Sequence, residues 1–338
     1  MQYGHTATAW AGTNIALVKY WGKRPGPLNV PAAGSLSLTL AGLGTTTSVA
    51  FDRALESSGD TFVLNGEPLD EKARARASRF LDLVRKRAGL TCGARVDSRN
   101  TVPTAAGLAS SASGFAALAL ASCDAAGLRL SPKELSILAR QGSGSAARSV
   151  FGGFVLMSAG ERADGEDAFA SPLLDHTQWD VALVVAITSK GPKTIGSTEA
   201  MQHTASTSPY YEAWLNSVPP DLEQAQQALQ QRDLKTLGEI AERSCLRMHA
   251  CAMAAAPGIL YWNPVTVGAI QAVMSLRSEG KTAFFTIDAG PHVKVLCAAH
   301  EAAVIADALR VVPGVHDVVV AKPGPAAHLV NRSAQAGA

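Results

Sequence analysis

Asn100 to Phe115 reads NTVPTAAGLASSASGF, and the choice of fold turns on it. Gly107, Ser110, Ser111, Ser113 and Gly114 fall within eight residues, with small alanines between them and an apolar periodic segment directly after. Small residues let backbone N–H groups approach an anion closely, hydroxyls add donors, and the positive end of a helix dipole lies where the charge would sit. From Leu108 the apolar positions Ala112, Phe115 and Ala119 recur at helical spacing, so the loop leads into a helix that can be buried. The lysine of a Walker loop, GxxxxGK[ST], is missing, so that nucleotide fold is not implied. The competing explanation is a small-residue helix packed tightly against a sheet.

The whole chain sets the bounds. With 338 residues and 47% hydrophobic content it can bury a large core divided between two lobes, and a disordered or collagen-like chain is excluded. Formal net charge is +2 without long runs of one sign, so the global field gives no reason to expect nucleic acid or a membrane surface. Any anion must be held by a local cluster. The five cysteines, at 92, 123, 245, 251 and 297, form no CxxC pair or zinc spacing and fit free thiols in a reducing compartment. Eight histidines form neither an HxxxH pair nor an HExxH motif, which argues against zinc. The N-terminal MQYGHTATAW lacks a signal-peptide pattern and no 18-residue apolar span occurs, so a cytoplasmic location is expected.

Upstream of the small-residue stretch, Thr6 to Trp10 and Asn14 to Val18 read as two short strands separated by Ala11-Gly12-Thr13. The second runs into Lys19-Tyr20-Trp21-Gly22-Lys23-Arg24. Three cations and two hydrogen-bonding aromatics are expensive to bury, so part of this segment lines a wet cleft or else is a solvated strand end. Ser35 to Leu40 and Thr45 to Phe51 read as strands, and Thr61 to Leu64 followed by Asn65-Gly66 as a hairpin. Asp70 to Ala88 has helical period with Phe80, Leu81 and Val84 inward; Arg74, Arg76 and Arg79 are most simply a solvated face, although one could reach a nucleotide.

Downstream, Ser131, Pro132 and Glu134 spell a capping box for a helix ending near Arg140. A second glycine-serine loop, Gln141 to Arg148, ends in a bidentate donor; two such loops point to one site holding several phosphate groups, the alternative being a surface linker. Gly160 to Asp167 reads as an exposed hairpin tip near the lobe boundary, and Asp180 to Ile187 as a buried strand opening a new sheet. Ser189 to Met201 is a basic turn feeding a short helix capped by Ser197 or Thr198. Helical patterns follow over Pro209 to Asn216, Asp221 to Gln231, Leu234 to Met253 and Pro264 to Ser278. The strand Thr282 to Ile287 ends in Asp288-Ala289-Gly290-Pro291-His292. A carboxylate there is placed as a catalytic group, or as a turn cap. Val293 to Cys297, a helix over 298–309 and Val318 to Val320 complete a small α+β lobe, and the chain from Lys322 is expected to fray.

Taken together, TNIALVKYWGKR, PTAAGLASSASGF, GSGSAARSVFGGF, GSTEAMQHT and FFTIDAGPHVKVL resemble the diphosphomevalonate decarboxylases of the GHMP kinase superfamily, in family order from about residue 6 to residue 320. The resemblance implies an α+β chain with a GHMP kinase fold: an ATP-binding lobe over 1–178 like ribosomal protein S5 domain 2, a ferredoxin-like lobe over 179–325, a flexible tail over 326–338, and the site in the cleft between the lobes. It implies ATP with Mg2+ held through the phosphates, no protein side chain assigned to the metal, a small-molecule substrate and a homodimer. The implied reaction converts mevalonate 5-diphosphate to isopentenyl diphosphate, carbon dioxide, ADP and phosphate. A decarboxylase of mevalonate 5-phosphate and a kinase stopping at the 3-phosphate are the alternatives.

By match to the family motifs, Asp288 receives or orients the proton of the C3 hydroxyl, Lys19 keeps Asp288 ionised, and Arg148 holds the substrate carboxylate region. Tyr20, Trp21, Lys23, Ser143, Gly144, Ser145, Ser197 and Met201 fall in the substrate pocket, and Ala105, Ala106, Gly107, Leu108, Ala109, Ser110 and Ser111 wrap the ATP phosphates. The chain departs from the family pattern at Ala32-Ala33-Gly34, at Thr198 and at His292.

Overall fold

The computed structural model describes residues 5–55, 59–101, 110–191 and 195–330. Two sheets organise it. The first begins with two long strands, β1 (Thr6–Val18) and β2 (Ser35–Asp52), which run antiparallel along their length. The break predicted at Ala11-Gly12-Thr13 is a register shift inside one strand: pairing steps from Gly12 opposite Gly44 to Asn14 opposite Thr39. Residues 40–43 bulge out of β2 at that step, so the two segments expected there are also one strand.

A tight turn follows β3 (Thr61–Leu64) and leads to β4 (Glu67–Pro68), with Asn65 and Gly66 both at positive φ, as the Asn-Gly signal requires. Helix α1 (Glu71–Ala88) is capped by the Asp70 side chain and closed by Gly89 in the left-handed region. β5 (Gly93–Asn100) pairs with the second half of β2, and the small-residue helix α2 (Ser110–Ala125) buries Ala112, Ala116 and Ala119 against β1 and β2. Helix α3 (Pro132–Gly142) carries the full Ser131–Glu134 capping box. The short α4 (Ala146–Ser149) precedes the hairpin of β6 (Phe154–Met157) and β7 (Ala170–Leu174), in which β6 pairs with the first half of β2.

The second sheet starts at β8 (Val181–Ile187), buried at every position. Helix α5 (Ser197–Thr207) is capped by Gly196, not by the Ser197 or Thr198 side chain, which occupy its first turn. The two helical patterns expected on either side of Pro219-Pro220 are one helix, α6 (Tyr211–Gln231). Proline removes two ladder bonds there, but Trp214, Val218, Asp221 and Ala225 form one buried stripe through the prolines. Arg243 and Arg247 of α7 (Leu234–Met253) grip Asp221 at 2.7 and 3.0 Å. Helix α8 (Pro264–Ser278), β9 (Ala283–Thr286), β10 (Val293–Ala298), α9 (Ala302–Arg310) and β11 (Asp317–Ala321) complete the sheet in the order β11-β8-β10-β9.

The chain does not fray at Lys322. Its end returns to the first sheet, where β12 (His328–Leu329) pairs with Trp10 and Ala9. Before that, residues 322–324 bond into the bulge of β2: Ala41 N–H donates to Lys322 O and Gly324 N–H to Thr39 O, at 2.9 and 2.8 Å. The expected flexible tail is thus corrected over residues 326–330, because the unpaired groups of the bulge need partners; residues 331–338 lie outside the described part. One apolar cluster joins the sheets, with Ile15, Leu17, Leu36 and Leu38 of the first packed with Leu183, Val185 and the buried faces of α6 and α7. That shared core fixes where the end of β1 meets the residues after β9.

Gly152 tests the return of the chain. A Cβ there would meet the backbone of Pro325 and Gly324 at 2.6 and 2.7 Å. Gly152→Ala should destabilise the protein by about 1–3 kcal/mol, the usual cost of overpacking against backbone, seen as a lowered urea midpoint. An unchanged midpoint would mean that the segment does not pack there.

Candidate active site

Lys19 directly follows β1, and its backbone N–H donates to Ser244 Oγ of α7 at 2.9 Å, pinning the strand end to the second half of the molecule. The Lys19 side chain is 1% exposed, and its Nζ donates to Ala16 O at 2.8 Å and to Asp288 Oδ1 at 2.7 Å. Asp288 lies just past β9 and leaves 29% of its side-chain surface open to the cleft. Its other oxygen, Oδ2, faces Lys294 Nζ of β10 at 3.3 Å. Burial pushes the carboxyl pKa up, but the two ammonium groups outweigh it and hold the group well below the usual carboxylate range. Asp288 is an anion at any physiological pH.

Arg148, on α4, stands across from it. Its Nη1 donates to Ser35 Oγ at 2.6 Å, while Nε and Nη2 share Asn14 Oδ1 at 3.2 and 3.1 Å. Asn14 in turn donates to Ser149 Oγ and Ser145 O, so the guanidinium orientation is built from two strands and a turn. Burial lowers the Arg148 pKa to about 10, leaving it charged. Among the described residues no carboxylate lies within ion-pair distance of it. A buried cation without a protein counter-ion is a ready seat for an anionic ligand.

Lys19, Asp288, Arg148 and Asn14 line a cleft of about 920 Å³. At its far end Lys23 Nζ donates to Asn29 Oδ1 at 2.7 Å and Thr198 Oγ1 at 3.1 Å, both neutral. Burial, and secondly Arg76, lower the Lys23 pKa to about 8. Lys72, Arg76 and Arg79 of α1 line the same cleft, with Arg76 near enough to Lys23 to lower its pKa. Arg76 is exposed, as a solvated face requires, yet its guanidinium lies over the Phe115 ring and donates to Gly142 O at 2.7 Å, which turns the side chain toward the cleft. Ser111, at the start of α2, and Ser143 approach to 3.5 Å, with Ser145 Oγ 3.4 Å from Ser143. The helix start and the second glycine-serine loop thus share one wall.

The remaining sequence candidates fall as follows. Gly144 and Tyr20 touch, since a Cβ on Gly144 would run into the phenol oxygen. That hydroxyl is buried and makes no hydrogen bond among the described residues. Ser197 and Met201 of α5 line the wall opposite. Trp21 also reaches the cleft but is 2% exposed, its ring edge-on to Tyr261 in the core, so packing dominates its surroundings. Ala105, Ala106, Gly107, Leu108 and Ala109 lie outside the described residues; Ser110 opens α2. Among the described residues no three His, Cys, Asp or Glu side chains converge as a metal site, and no helix is long and apolar enough to cross a membrane.

Four site groups escaped the sequence reading. Lys294, Asn14, Asn29 and Lys72 each carry a signal only in hindsight, a polar residue at an inward register or in a turn. Of the departures from the family pattern, His292 is a buried acceptor for the Thr188 N–H at 3.1 Å, tying the turn after Asp288 to the end of β8. Ala32-Ala33-Gly34 is not among the cleft-lining residues; Gly34 lies where a Cβ would meet Leu222 of α6.

Comparison with known proteins decides the family. The diphosphomevalonate decarboxylase-like N-terminal domain matches residues 11–170, and the mevalonate 5-diphosphate decarboxylase C-terminal domain matches residues 183–329. The diphosphomevalonate decarboxylase of Aspergillus fumigatus is 38% identical over 92% of this chain and 81% of its own length. The chain belongs to the diphosphomevalonate decarboxylase family. The Staphylococcus aureus mevalonate diphosphate decarboxylase crystal structure superposes with a TM-score of 0.91 at 38% identity, covering 96% of this chain and 98% of that one. The Enterococcus faecalis decarboxylase gives 0.89 at 42% identity, covering 96% and 99%. A solved complex of a 42% identical relative with MVAPP, AMPPCP and magnesium gives 0.90, with the same coverage. The α+β class and GHMP kinase-type architecture expected from the sequence are those of these decarboxylase structures.

Lys23 gives a test of the cationic end that needs no turnover. With its pKa near 8 the free amine is part-deprotonated at pH 8.5, and an arriving anion raises that pKa. Binding of inorganic sulfate, an anion with no proton to lose in this range, should therefore take up protons at pH 8.5, measured by calorimetry in buffers of different ionisation heat. The uptake should vanish in Lys23→Met and shrink at pH 7; equal uptake in the variant would place the titrating group elsewhere.

Proposed function

We propose that this chain catalyses the ATP-dependent decarboxylation of mevalonate 5-diphosphate to isopentenyl diphosphate, carbon dioxide, ADP and phosphate. The observation that carries this is the ionised Asp288, held between buried lysines and open to a cleft that is lined by one other carboxylate, Glu199, and by five cations, Lys23, Lys72, Arg76, Arg79 and Arg148, that form no ion pair among the described residues. The chemistry explains the arrangement. Loss of carbon dioxide from a 3-hydroxy acid leaves an electron pair on C2, and with no carbonyl at C3 a leaving group must accept it. Hydroxide leaves a tertiary carbon badly. Phosphorylating that oxygen makes a good leaving group, and its departure forms the double bond as the carboxylate bond breaks.

In this scheme Asp288 accepts a hydrogen bond from the C3 hydroxyl and orients it toward the γ-phosphate. Lys19, beside it, balances charge on the phosphate that leaves. Arg148 presents its fork to the substrate carboxylate, a planar match that lysine would not make. Lys23, with Lys72, Arg76 and Arg79 lining the same cleft, supports a diphosphate rather than a monophosphate at the 5-position. The unsatisfied Tyr20 hydroxyl and the Ser143 and Ser145 hydroxyls supply neutral donors along the same path.

ATP fits the wall formed by Ser111 at the α2 N-terminus and Ser143. Magnesium prefers oxygen ligands, and both oxygens of Asp288 are engaged by lysines, so the metal would rest on phosphate oxygens with serine hydroxyls such as Ser111 beside it. When bound, it neutralises charge on the phosphates. A cytosolic homodimer belongs to the same proposal, checked by sedimentation and fractionation.

Two measurements test it. Carbon dioxide and ADP should appear in equal amounts from mevalonate 5-diphosphate, with far lower turnover on the monophosphate; ADP without carbon dioxide would identify a kinase, and a monophosphate preference would identify the sibling decarboxylase. Asp288→Asn should retain nucleotide affinity and lose turnover by ~10³-fold, the usual contribution of a positioned acid-base group. A fully active Asn variant would remove Asp288 from the mechanism.

A further inference from the structure

A carboxylate has two oxygens, and one lysine satisfies one of them. Lys19 takes Oδ1 of Asp288 and Lys294 takes Oδ2, but the two lysines differ in access. Lys19 lines the cleft beside Asp288, whereas Lys294 is not part of the wall and its side chain is 4% exposed. Its backbone is held on both sides, opposite Thr286 of β9 and Val185 of β8. An ammonium group inside a sheet costs more than an apolar side chain of similar volume would. Its one ion pair among the described residues is with Asp288.

We propose that Lys294 is a positioning residue that acts through Asp288: by holding Oδ2 from behind, it stops the carboxylate from rotating about the Lys19 contact and keeps it anionic in the orientation that receives the C3 hydroxyl. The inference rests on the function proposed for the cleft. The charged and titratable groups facing Asp288 come from four elements: Lys19 just after β1, Lys294 on β10, Arg148 on α4, and Cys245 with His249 on α7. The last two are neutral near pH 7, since burial raises the Cys245 thiol to about 11 and, with Lys19 as the next cause, lowers His249 to about 3. Helix α7 therefore cannot replace the charge of Lys294. With three cations around one anion, the centre also stays net positive, which suits a site where negative charge develops on a departing phosphate.

The test is a pH–rate profile. Activity that needs ionised Asp288 is present above its folded pKa and lost as pH falls through it. Removing Lys294 raises that pKa, so in Lys294→Met the acid limb of kcat should move up by about one pH unit or more, as expected for losing a neighbouring opposite charge. At neutral pH kcat should fall about 10- to 100-fold from loss of orientation, with KM for both substrates within about twofold. Lys294→Arg should keep the acid limb in place. In an Asp288→Asn background, adding Lys294→Met should change nothing further. An acid limb coincident with that of the wild type, or an equal loss in the Asp288→Asn background, would overturn the assignment. If Lys294→Met does not fold, the arginine variant and the double variant decide by the same criteria. A wild-type chain releasing no carbon dioxide would contradict the proposed function instead, and is distinguishable from either outcome.

Discussion

An ammonium group and a carboxylate from opposite sheets, meeting with little water between them, set the terms for the rest of this structure. Lys19 follows a strand of the first sheet and Asp288 a strand of the second. Each charge is costly to bury alone, and losing one partner of such a pair typically costs roughly 3–5 kcal/mol. The pair therefore constrains how the two sheets can sit. The shared apolar cluster of β1, β8, α6 and α7 meets that constraint. Ser244 reinforces it by accepting the Lys19 backbone N–H from across the junction.

Charge is sorted along the cleft. At one end the anion is native to the protein and saturated by lysines; Arg148, facing it, and Lys23, at the far end, have only neutral hydrogen-bond partners. The same burial that holds Arg148 near 10 and Lys23 near 8 makes each of them a better partner for a ligand anion than an exposed residue would be. A substrate with a carboxylate at one end and phosphates at the other matches this order of charges, and the hydroxyl that must react falls toward the native anion.

The legible parts of the fold were those encoded locally. The Ser131-Pro132-Glu134 capping box, the Asn65-Gly66 turn and the apolar run of β8 form as their residues dictate. What was not legible depends on distant chain. The unity of β1 and of β2 rests on pairing across a bulge that residues 322–324 fill, from the far end of the chain. The continuity of α6 through Pro219-Pro220 depends on Asp221 meeting two arginines of the next helix. Of the cleft-lining residues, Asp288, Lys19 and Arg148 were singled out by motif. Lys294 was hidden in a strand that reads as apolar, and Arg76 lies in an ordinary exposed helical charge pattern, its lean toward the cleft set by distant Phe115 and Gly142.

The most direct measurement is a crystal structure of the chain with mevalonate 5-diphosphate and a non-hydrolysable ATP analogue bound together. The account predicts the C3 oxygen about 2.6–3.2 Å from an Asp288 oxygen, as positioned proton transfer requires, with Lys19 and Lys294 still on the carboxylate and the substrate carboxylate on Arg148. A C3 oxygen turned away from Asp288, or a substrate bound with its diphosphate against that aspartate, would contradict it.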